Sequence, residues 1–225
     1  MTLRRLALAA ATLTALALGA PAAAQANDLQ VAVVPADATY GAPHTVEGRL
    51  TDAAGAPLAG QEIVIRYREF PYTGTFAPLA VTKTGADGRF SAGHLLLWRN
   101  ADVRAVAADG TTSGIARAWT YPSFALAYRP AGRDRIRLIQ AYRTPSTVRL
   151  SAPTLFYVGP ASSASGPVRA RAKTRRTAPG RFVATATLKL PKAWKGSFRF
   201  ASCFRYSEGS GMGDPARGCP TRLAF

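Results

Sequence analysis

Apolar and polar side chains alternate along much of this chain, and turn residues repeatedly interrupt the alternation. Residues 29–33, 46–50 and 103–107 each place an apolar or small residue at every second position. A period of two is typical of half-buried strands. No long window carries apolar residues at i, i+3, i+4 and i+7, so the pattern predicts an all-β protein.

The clearest turn signal is the pair Asp87-Gly88, which stands between two alternating runs. An Asp-Gly pair in that position predicts a β-hairpin, since both residues tolerate the left-handed region. The sequence GRFSA at 88–92 is echoed by GRFVA at 180–184, an offset of 92 residues. That offset is the size of one small β-sandwich, which favours two sandwiches in tandem.

The turn spacing divides the chain into three parts. The pattern over residues 29–120 predicts about seven short strands. Ile63, Ile65 and Tyr67 are expected to face inward. Arg66 and Arg68 are expected to face water. A boundary is expected at Tyr121-Pro122, beyond which strand patterns resume. The predicted parts are a leader at 1–26, a first sandwich at 27–122 and a second, basic sandwich at 123–225.

The strand predicted over 198–206 carries aromatic residues on one face, at 198, 200, 204 and 206. We expect these rings to form core, with an exposed aromatic binding face as the alternative. Further strands are expected at 135–141, 147–150, 154–158, 168–173 and 181–190, with a Pro179-Gly180 turn before the last of them. A Ser-, Ala- and Gly-rich loop is expected at 160–167.

The first 26 residues have the features of a secretory signal peptide. Arg4 and Arg5 precede an apolar run at 6–20, which is followed by the small-residue motif Ala24-Gln25-Ala26. This order predicts cleavage before Asn27 and an exported chain, with a retained anchor as the alternative. The Arg pair leaves twin-arginine export open. The sequence shows no second long apolar run, so no transmembrane segment is expected after cleavage.

Two segments carry a resemblance to known modules. Residues 48–52 (GRLTD) and 55–61 (GAPLAGQ) resemble the first half of bacterial immunoglobulin-like modules, and equally that of carboxypeptidase-regulatory, transthyretin-like modules. Residues 84–90 and 103–106 resemble the second half. The resemblance covers roughly 29–120 and implies a seven-stranded sandwich that serves as a spacer, stalk or binding module. It implies no catalytic residue.

Charge is distributed very unevenly along the chain. The formal net charge is +17, and removal of Arg4 and Arg5 with the leader leaves +15. Residues 27–122 hold 8 basic and 9 acidic side chains, a net charge of −1, whereas residues 123–225 hold 19 basic and 3 acidic ones, a net charge of +16. The asymmetry indicates a polyanionic partner for the second half, unless Arg is simply its default soluble residue.

Basic residues recur at every second position in two stretches of the second half. On strands they would project from one face, about 6.6 Å apart, near the spacing of phosphates on an extended backbone. The candidate polyanion-binding residues are Arg133, Arg135, Arg137, Arg169, Arg171, Lys173 and Arg175. The expected partners are an anionic envelope polymer of the teichoic type, lipid headgroups or extracellular nucleic acid. The sequence does not indicate an oligomeric state.

Cys203 and Cys219 are the only cysteines. An even count in an exported chain predicts a disulfide between them, with Cys203 on the strand face opposite Phe200 and Phe204. It would close a loop of about 15 residues and contribute on the order of 3 kcal/mol. Residues 207–215 in that loop offer little to bury, so the loop is expected to need this covalent link.

The sequence offers no arrangement that predicts catalysis. His44 and His94 are expected at the surface or at strand edges, and no metal-ligand spacing, nucleophile elbow or phosphate-binding glycine loop occurs. Glu208 and Asp214 could pair, bind a cation or only keep their loop solvated. No enzyme activity, cofactor or metal is expected.

The aromatic residues near Glu62 and Glu69 are a further candidate feature. Phe70, Tyr72 and Phe76 form either a sugar-binding face or a packed loop. The functional prediction is an exported, non-catalytic binding or structural module whose basic half contacts an anionic polymer or surface. The alternatives are a spacer without a ligand and, less favoured, a carbohydrate-binding module or an enzyme.

Overall fold

The computed structural model describes residues 27–160, 168–192, 198–204, 206 and 208–216. The predicted leader, the loop at 161–167 and Cys219 lie outside the described residues. Within them the chain is all-β, as predicted. No helix in the described part of the chain is long and apolar enough to cross a membrane.

Eight strands follow one another in the first half, one more than the alternation predicted. They are β1 (Asp28–Val34), β2 (Asp37–Thr39), β3 (His44–Thr51), β4 (Glu62–Glu69), β5 (Ala77–Lys83), β6 (Arg89–Leu95), β7 (Ala101–Ala107) and β8 (Ala116–Tyr121). They form a sheet in the order β1-β3-β6 and a second sheet in the order β2-β8-β7-β4-β5. We call these two sheets the first sandwich.

The core of the first sandwich consists of the apolar positions that alternate in the sequence. Val46, Ile63, Ile65 and Val103 are fully buried between the two sheets. Small residues of β7 and β8, such as Ala105, leave room for the larger side chains opposite. The prediction that Ile63 and Ile65 face inward is therefore confirmed.

The Asp87-Gly88 turn does not form the predicted hairpin. It connects β5 and β6, which belong to different sheets, so the chain crosses from one layer of the sandwich to the other. The local chemistry is as expected, because Gly88 has φ +73° and the Arg89 amide donates to Asp87 Oδ1 at 3.0 Å. The Gly88 carbonyl accepts from the Leu50 amide at 2.9 Å, which places the turn against β3. Turn residues specify the bend but not the partner strand.

Seven strands and one 3-10 turn follow in the second half. They are β9 (Ser123–Pro130), β10 (Arg135–Arg143), β11 (Thr154–Pro160), β12 (Val168–Ala172), β13 (Arg175–Ala178), β14 (Arg181–Lys189), β15 (Phe198–Phe204) and the 3-10 turn Glu208–Ser210. They form one sheet in the order β13-β14-β10-β9 and another in the order β12-β11-β15. We call these two sheets the second sandwich. No strand forms at 147–150.

The aromatic face of β15 packs on the core of the second sandwich, as predicted. Phe204 is buried, and Phe198, Phe200 and Tyr206 pack against a cluster that includes Phe156. Phe200 and Phe198 also contact the Tyr128 ring at centroid distances of 5.1 and 5.6 Å. These contacts close the space between β15 and β9.

The Pro179-Gly180 turn joins β13 to β14 in a true hairpin, with Arg176 opposite Phe182. The repeated motif therefore marks similar local structure in both halves. In each half a glycine with positive φ, Gly88 or Gly180, precedes a strand whose second residue is a buried Phe. The topological setting differs, because only the second copy lies within one sheet.

The segment at 208–216 is packed against the first sandwich, contrary to the expectation that it buries little. Met212 is fully buried in the second core. The Asn100 amide donates to the Gly211 carbonyl at 2.9 Å, and Asn100 Nδ2 donates to the Gly213 carbonyl at 2.8 Å. The Gly213 amide donates to the Thr120 carbonyl at 2.8 Å. We call 208–216 the clasp segment because it contacts both sandwiches.

Candidate anion-binding surfaces

Among the described residues of the second sandwich, cations are most concentrated on the outer face of the sheet β13-β14-β10-β9. Along β10 and β14 buried and exposed residues alternate, so that Ile136, Leu138, Phe182 and Leu188 point into the core. The residues between them point to solvent. The exposed cations on this face are Arg129, Arg135, Arg137, Arg143, Arg175, Arg181 and Lys189. We call this surface the basic face.

Strand register brings these cations together in cross-strand pairs. Arg137 stands opposite Arg129 on β9, Arg135 opposite Lys189 on β14, and Arg143 opposite Arg181. Neighbouring strands lie about 4.8 Å apart, so each pair concentrates two positive charges. No acidic residue occurs in β9, β10, β13 or β14. The strands of the basic face therefore concentrate positive charge without an acidic residue of their own.

Along β10 itself the cations occupy the two ends of the strand, and the outward-facing residues between them, Ile139 and Ala141, are apolar. Ile139 and Ala141 of β10 stand opposite Thr185 and Val183 of β14. A polymer bound along β10 would therefore meet cations at each end and an apolar strip between them.

Acidic compensation near the basic face is slight. Arg133 lies in the turn before β10 and is exposed, beside Asp134 in the same turn. Asp134 pairs with Lys189 at 3.5 Å, with side chains 40% and 70% exposed respectively. An exposed pair of this kind contributes little and is screened by salt. Lys189 therefore remains available to an external anion.

The second predicted row, from Arg169 to Arg175, does not lie on one strand face. Strand β12 ends at Ala172 and β13 begins at Arg175, in the other sheet. Arg169 and Arg171 are exposed on the sheet β12-β11-β15, on the opposite side of the sandwich from the basic face. The row is interrupted because the chain crosses between the two layers at Lys173 and Thr174. Alternation in sequence predicts a shared face only while the strand continues.

Lys173 and Arg175 are brought to the basic face by that crossing. Together with Thr177, Val183 and Thr185 they line a groove of about 460 Å³. Of the seven predicted residues, Arg135, Arg137, Lys173 and Arg175 thus share one side of the molecule. The sequence did not indicate Arg129, Arg143, Arg181 or Lys189, because only the register of β9, β10 and β14 aligns them.

A second cluster of arginines lies in the first sandwich, on the outer face of the five-stranded sheet. Asp102 of β7 is buried and accepts from Arg68 of β4 at 3.0 Å and from Arg117 of β8 at 2.6 Å. Arg66 stands opposite Arg104 in the neighbouring row. The cluster holds four guanidinium groups and one carboxylate, a net charge of +3. Arg66 and Arg68 are half-buried here, not solvated as predicted.

The loop between β4 and β5 folds over this cluster and places aromatic rings on the guanidinium groups. The Phe76 ring centroid lies 4.6 Å from Arg68 Cζ and 4.1 Å from Arg104 Cζ. The Tyr72 ring lies 4.2 Å from Arg117 Cζ. Cation–π contacts of this kind stabilise a guanidinium by about 0.5–2 kcal/mol. The aromatic patch predicted from the sequence is therefore a packed loop that covers arginines.

Tyr72 is held in a left-handed conformation, with φ 65°, next to a pocket where the clasp segment meets the first sandwich. Burial raises the pKa of its hydroxyl, an effect that Arg117 partly offsets. The pocket has a volume of about 490 Å³ and is lined by Phe70, Tyr72, Asn100, Arg117, Trp119, Asp214, Pro215 and Ala216. The aromatic faces are largely engaged within the protein, since Phe70 packs edge-on against Tyr72 at 5.6 Å.

The remaining candidate residues that the structure describes include His44, His94 and Asp214. His44 is fully buried, and its Nδ1 donates to the Pro35 carbonyl at 2.9 Å, so the predicted surface location is wrong. His94 is exposed, as predicted. Asp214 Oδ1 accepts from the Ala216 amide at 2.9 Å. Among the described residues, no three His, Cys, Asp or Glu side chains lie close enough together to hold a metal.

Cys203 is half-buried on β15, next in sequence to the core residue Phe204. Because Cys219 lies outside the described residues, the disulfide between them stays a prediction. Mass spectrometry of the exported protein with and without reductant would test it.

Two pairs of sheets, each packed around its own core, make the described part of the chain all-β, with no α-helix among the described residues. No protein-family profile matches the chain. No curated protein matches it either.

The solved structures with which the chain aligns include a bacterial adhesin, a bacterial alpha-2-macroglobulin and a set of FN domains. FdeC, an Escherichia coli adhesin, is 16% identical over 84% of this chain, with a TM-score of 0.41. The E. coli alpha-2-macroglobulin in its native conformation is 14% identical over 87% of this chain, with a TM-score of 0.36. The FN1–FN3 domains of chicken CNTN1 are 10% identical over 84%, with a TM-score of 0.28.

These proteins are longer than the present chain, which spans 62% of the adhesin, 14% of the macroglobulin and 61% of the contactin chain. Since each TM-score lies below 0.5, function has to be argued from the chain's own residues.

Proposed function

We propose that this protein is an exported, non-catalytic binding module whose second sandwich contacts an anionic polymer of the cell envelope through the basic face. The observation that carries the proposal is the register of β9, β10 and β14, which pairs Arg137 with Arg129, Arg135 with Lys189 and Arg143 with Arg181. Like charges directly opposite one another destabilise a sheet, so a purely structural strand gains nothing from this arrangement.

A phosphate-bearing polymer fits the chemistry of the basic face. Guanidinium groups bind phosphate oxygens bidentately, and a lysine adds a flexible point charge. Arg135 and Arg137 are two residues apart on β10, so their side chains repeat at about 6.8 Å along the strand. A flexible chain of phosphodiesters can follow such a row with successive groups. Its less polar linkers would lie over the apolar middle at Ile139 and Ala141.

Export and the absence of catalysis belong to the same proposal. The leader-like sequence at 1–26 supports export. The acids of the second half are Asp134, Glu208 and Asp214 only, which gives a hydrolytic mechanism few candidates. The basic face is a broad sheet surface and not a pocket with converging acids and bases.

Direct binding of three probes tests the proposal. Protein that begins at Asn27 is titrated into fluorescently labelled linear polyphosphate, into single-stranded DNA and into phosphatidylglycerol vesicles, at about 50 and about 500 mM NaCl. We expect polyphosphate to bind most tightly at low salt and to dissociate at high salt, because binding releases condensed counterions. Tighter binding to vesicles or to DNA would show that lipid headgroups or nucleic acid, and not the polymer, is the partner. If none of the three probes binds at low salt, the proposal is wrong and the protein is a spacer without a ligand.

A further inference from the structure

Two arginines of the first sandwich form a cross-strand pair that has no counter-ion among the described residues. Arg66 of β4 stands directly opposite Arg104 of β7. Both side chains are half-buried, and the Nε atom of each is closed to solvent and has no hydrogen-bond acceptor. This pair is therefore partly desolvated without the compensation that buried donors normally receive.

The nearest row of charges cannot neutralise the pair. Asp102 is the one acid of the cluster, and its two oxygens already accept from Arg68 and Arg117. A carboxylate placed between two guanidinium groups balances only one of them. Arg66 and Arg104 therefore add two further positive charges beside an ion-pair row that is itself positive.

Apart from this ion-pair row, the groups around the pair are apolar, which strengthens any charge interaction made there. The Phe76 ring lies over Arg104 at 4.1 Å. On the other side, the next row of the sheet consists of Val64 opposite Val106 and Val81. Val81 is 60% exposed, so the edge of this apolar row is accessible from solvent. The cation–π contact to Phe76 offsets only part of the repulsion.

We propose that Arg66 and Arg104 bind one phosphate or sulfate oxyanion between them on the outer face of the first sandwich. The Nη groups donate to the oxyanion, since bidentate guanidinium pairing suits a tetrahedral anion. The site is independent of the basic face, because it lies in the other sandwich and uses different residues. It gives the first sandwich, whose overall charge is close to neutral, an anion-binding function of its own.

The side-chain resonances of the two arginines test the site directly. Burial of the Nε–H groups slows their exchange with water, so that their NMR signals can be followed. We use the chain from Asn27 with Arg135→Gln, Arg137→Gln and Lys189→Gln, so that the basic face contributes little binding. Inorganic phosphate, sulfate and glycerophosphoglycerol, a phosphodiester, are titrated separately against sodium chloride at equal ionic strength.

We expect saturable shifts of both Nε–H signals with a Kd on the order of 1 mM, and no saturable shift with chloride. The signals of Arg68 and Arg117, already bonded to Asp102, serve as an internal reference and should move far less. Tighter binding of the diester would identify a polymer-borne group as the ligand, and tighter binding of inorganic phosphate or sulfate a free ion. Absence of any saturable shift would overturn the proposal.

A pair of variants separates binding from a structural role. Arg104→Gln should abolish the phosphate-induced shift of Arg66. Arg89→Gln, which removes a 76% exposed cation outside the cluster, should leave it unchanged. An undiminished shift of Arg66 in the Arg104→Gln protein would also overturn the proposal. The outcome does not depend on whether the basic face binds polymer.

Discussion

At the scale of single residues, buried tyrosines link the stability of the second sandwich to pH. Tyr142 of β10 is buried in the core, and its hydroxyl lies 2.7 Å from Thr154 Oγ1. Burial raises the pKa of this hydroxyl from 10.0 to about 12, although the Thr154 hydrogen bond acts in the opposite direction. Burial also raises the pKa of Tyr206, whose ring contacts Phe204.

The raised pKa predicts alkaline destabilisation. Below about pH 10 Tyr142 keeps its proton in both the folded and the unfolded chain, so its ionisation does not lower the free energy of unfolding. Between about pH 10 and about pH 12 the unfolded chain ionises first, and the free energy of unfolding falls by up to about 3 kcal/mol. Denaturant titrations at a series of alkaline pH values should show this decline. Tyr142→Phe should make it shallower, leaving the Tyr206 contribution, and an unchanged slope would contradict the assignment.

At the scale of elements, the clasp segment connects the two sandwiches through glycine backbone. Gly211 has φ +64°, and a Cβ at this position would lie 2.6 Å from Phe70 Cδ1. The Asn100 amide donates to the Gly211 carbonyl, so the segment cannot move away without loss of that hydrogen bond. Only glycine meets both requirements at low cost.

Gly211→Ala should therefore lower the free energy of unfolding by about 2 kcal/mol, through backbone strain and overpacking. Gly209→Ala is the matched control, since a Cβ there meets no atom within 4 Å and its φ is not positive. That control should change stability by less than about 0.5 kcal/mol in urea titrations. Equal losses in the two variants would show that the clasp segment does not depend on the close approach to Phe70.

At the element scale, the sequence could predict where strands lie but not which strands pair. Alternation identified most of the strands and inward-facing residues such as Ile63 and Ile65, because a period of two is a local property. It did not identify strand partners: the Asp87-Gly88 turn crosses between sheets, and the row from Arg169 to Arg175 divides at Thr174. Partnership depends on long-range packing, which no short window contains.

The candidate surfaces show the same division. Arg135 and Arg137 could be found because they share one strand, whereas Lys189 and Arg181 join them only through register. The cluster around Asp102 has no sequence signature, since its members lie on three strands that are far apart in the chain. The sequence did not predict the packing of the clasp segment, because its contacts are made largely by backbone groups and one methionine, Met212.

At the scale of the whole molecule, the two halves differ in how they hold their arginines as well as in net charge. The first sandwich holds four of its arginines in a half-buried cluster, two of them beneath the Phe76 ring. The second sandwich exposes its arginines across a sheet without acids. The predicted division into two domains at Pro122 stays a prediction. The clasp hydrogen bonds to Asn100 and Thr120 suggest that proteolysis near Pro122 alone will not separate the two halves.

The central claim is that binding depends on the basic face and not on net charge. Two variants with the same loss of three charges distinguish these possibilities. Arg135→Gln, Arg137→Gln and Lys189→Gln remove charge from the basic face. Arg169→Gln, Arg171→Gln and Arg199→Gln remove it from exposed positions of the sheet β12-β11-β15, on the opposite side of the second sandwich.

The decisive measurement is the affinity of both variants and the parent for labelled polyphosphate at about 50 mM NaCl. We predict that the basic-face variant binds at least about tenfold more weakly and has a shallower salt dependence, because fewer counterions are released. The opposite-side variant should bind within about twofold of the parent, apart from a small general effect of net charge. Equal losses in the two variants, or no loss in either, would contradict the claim.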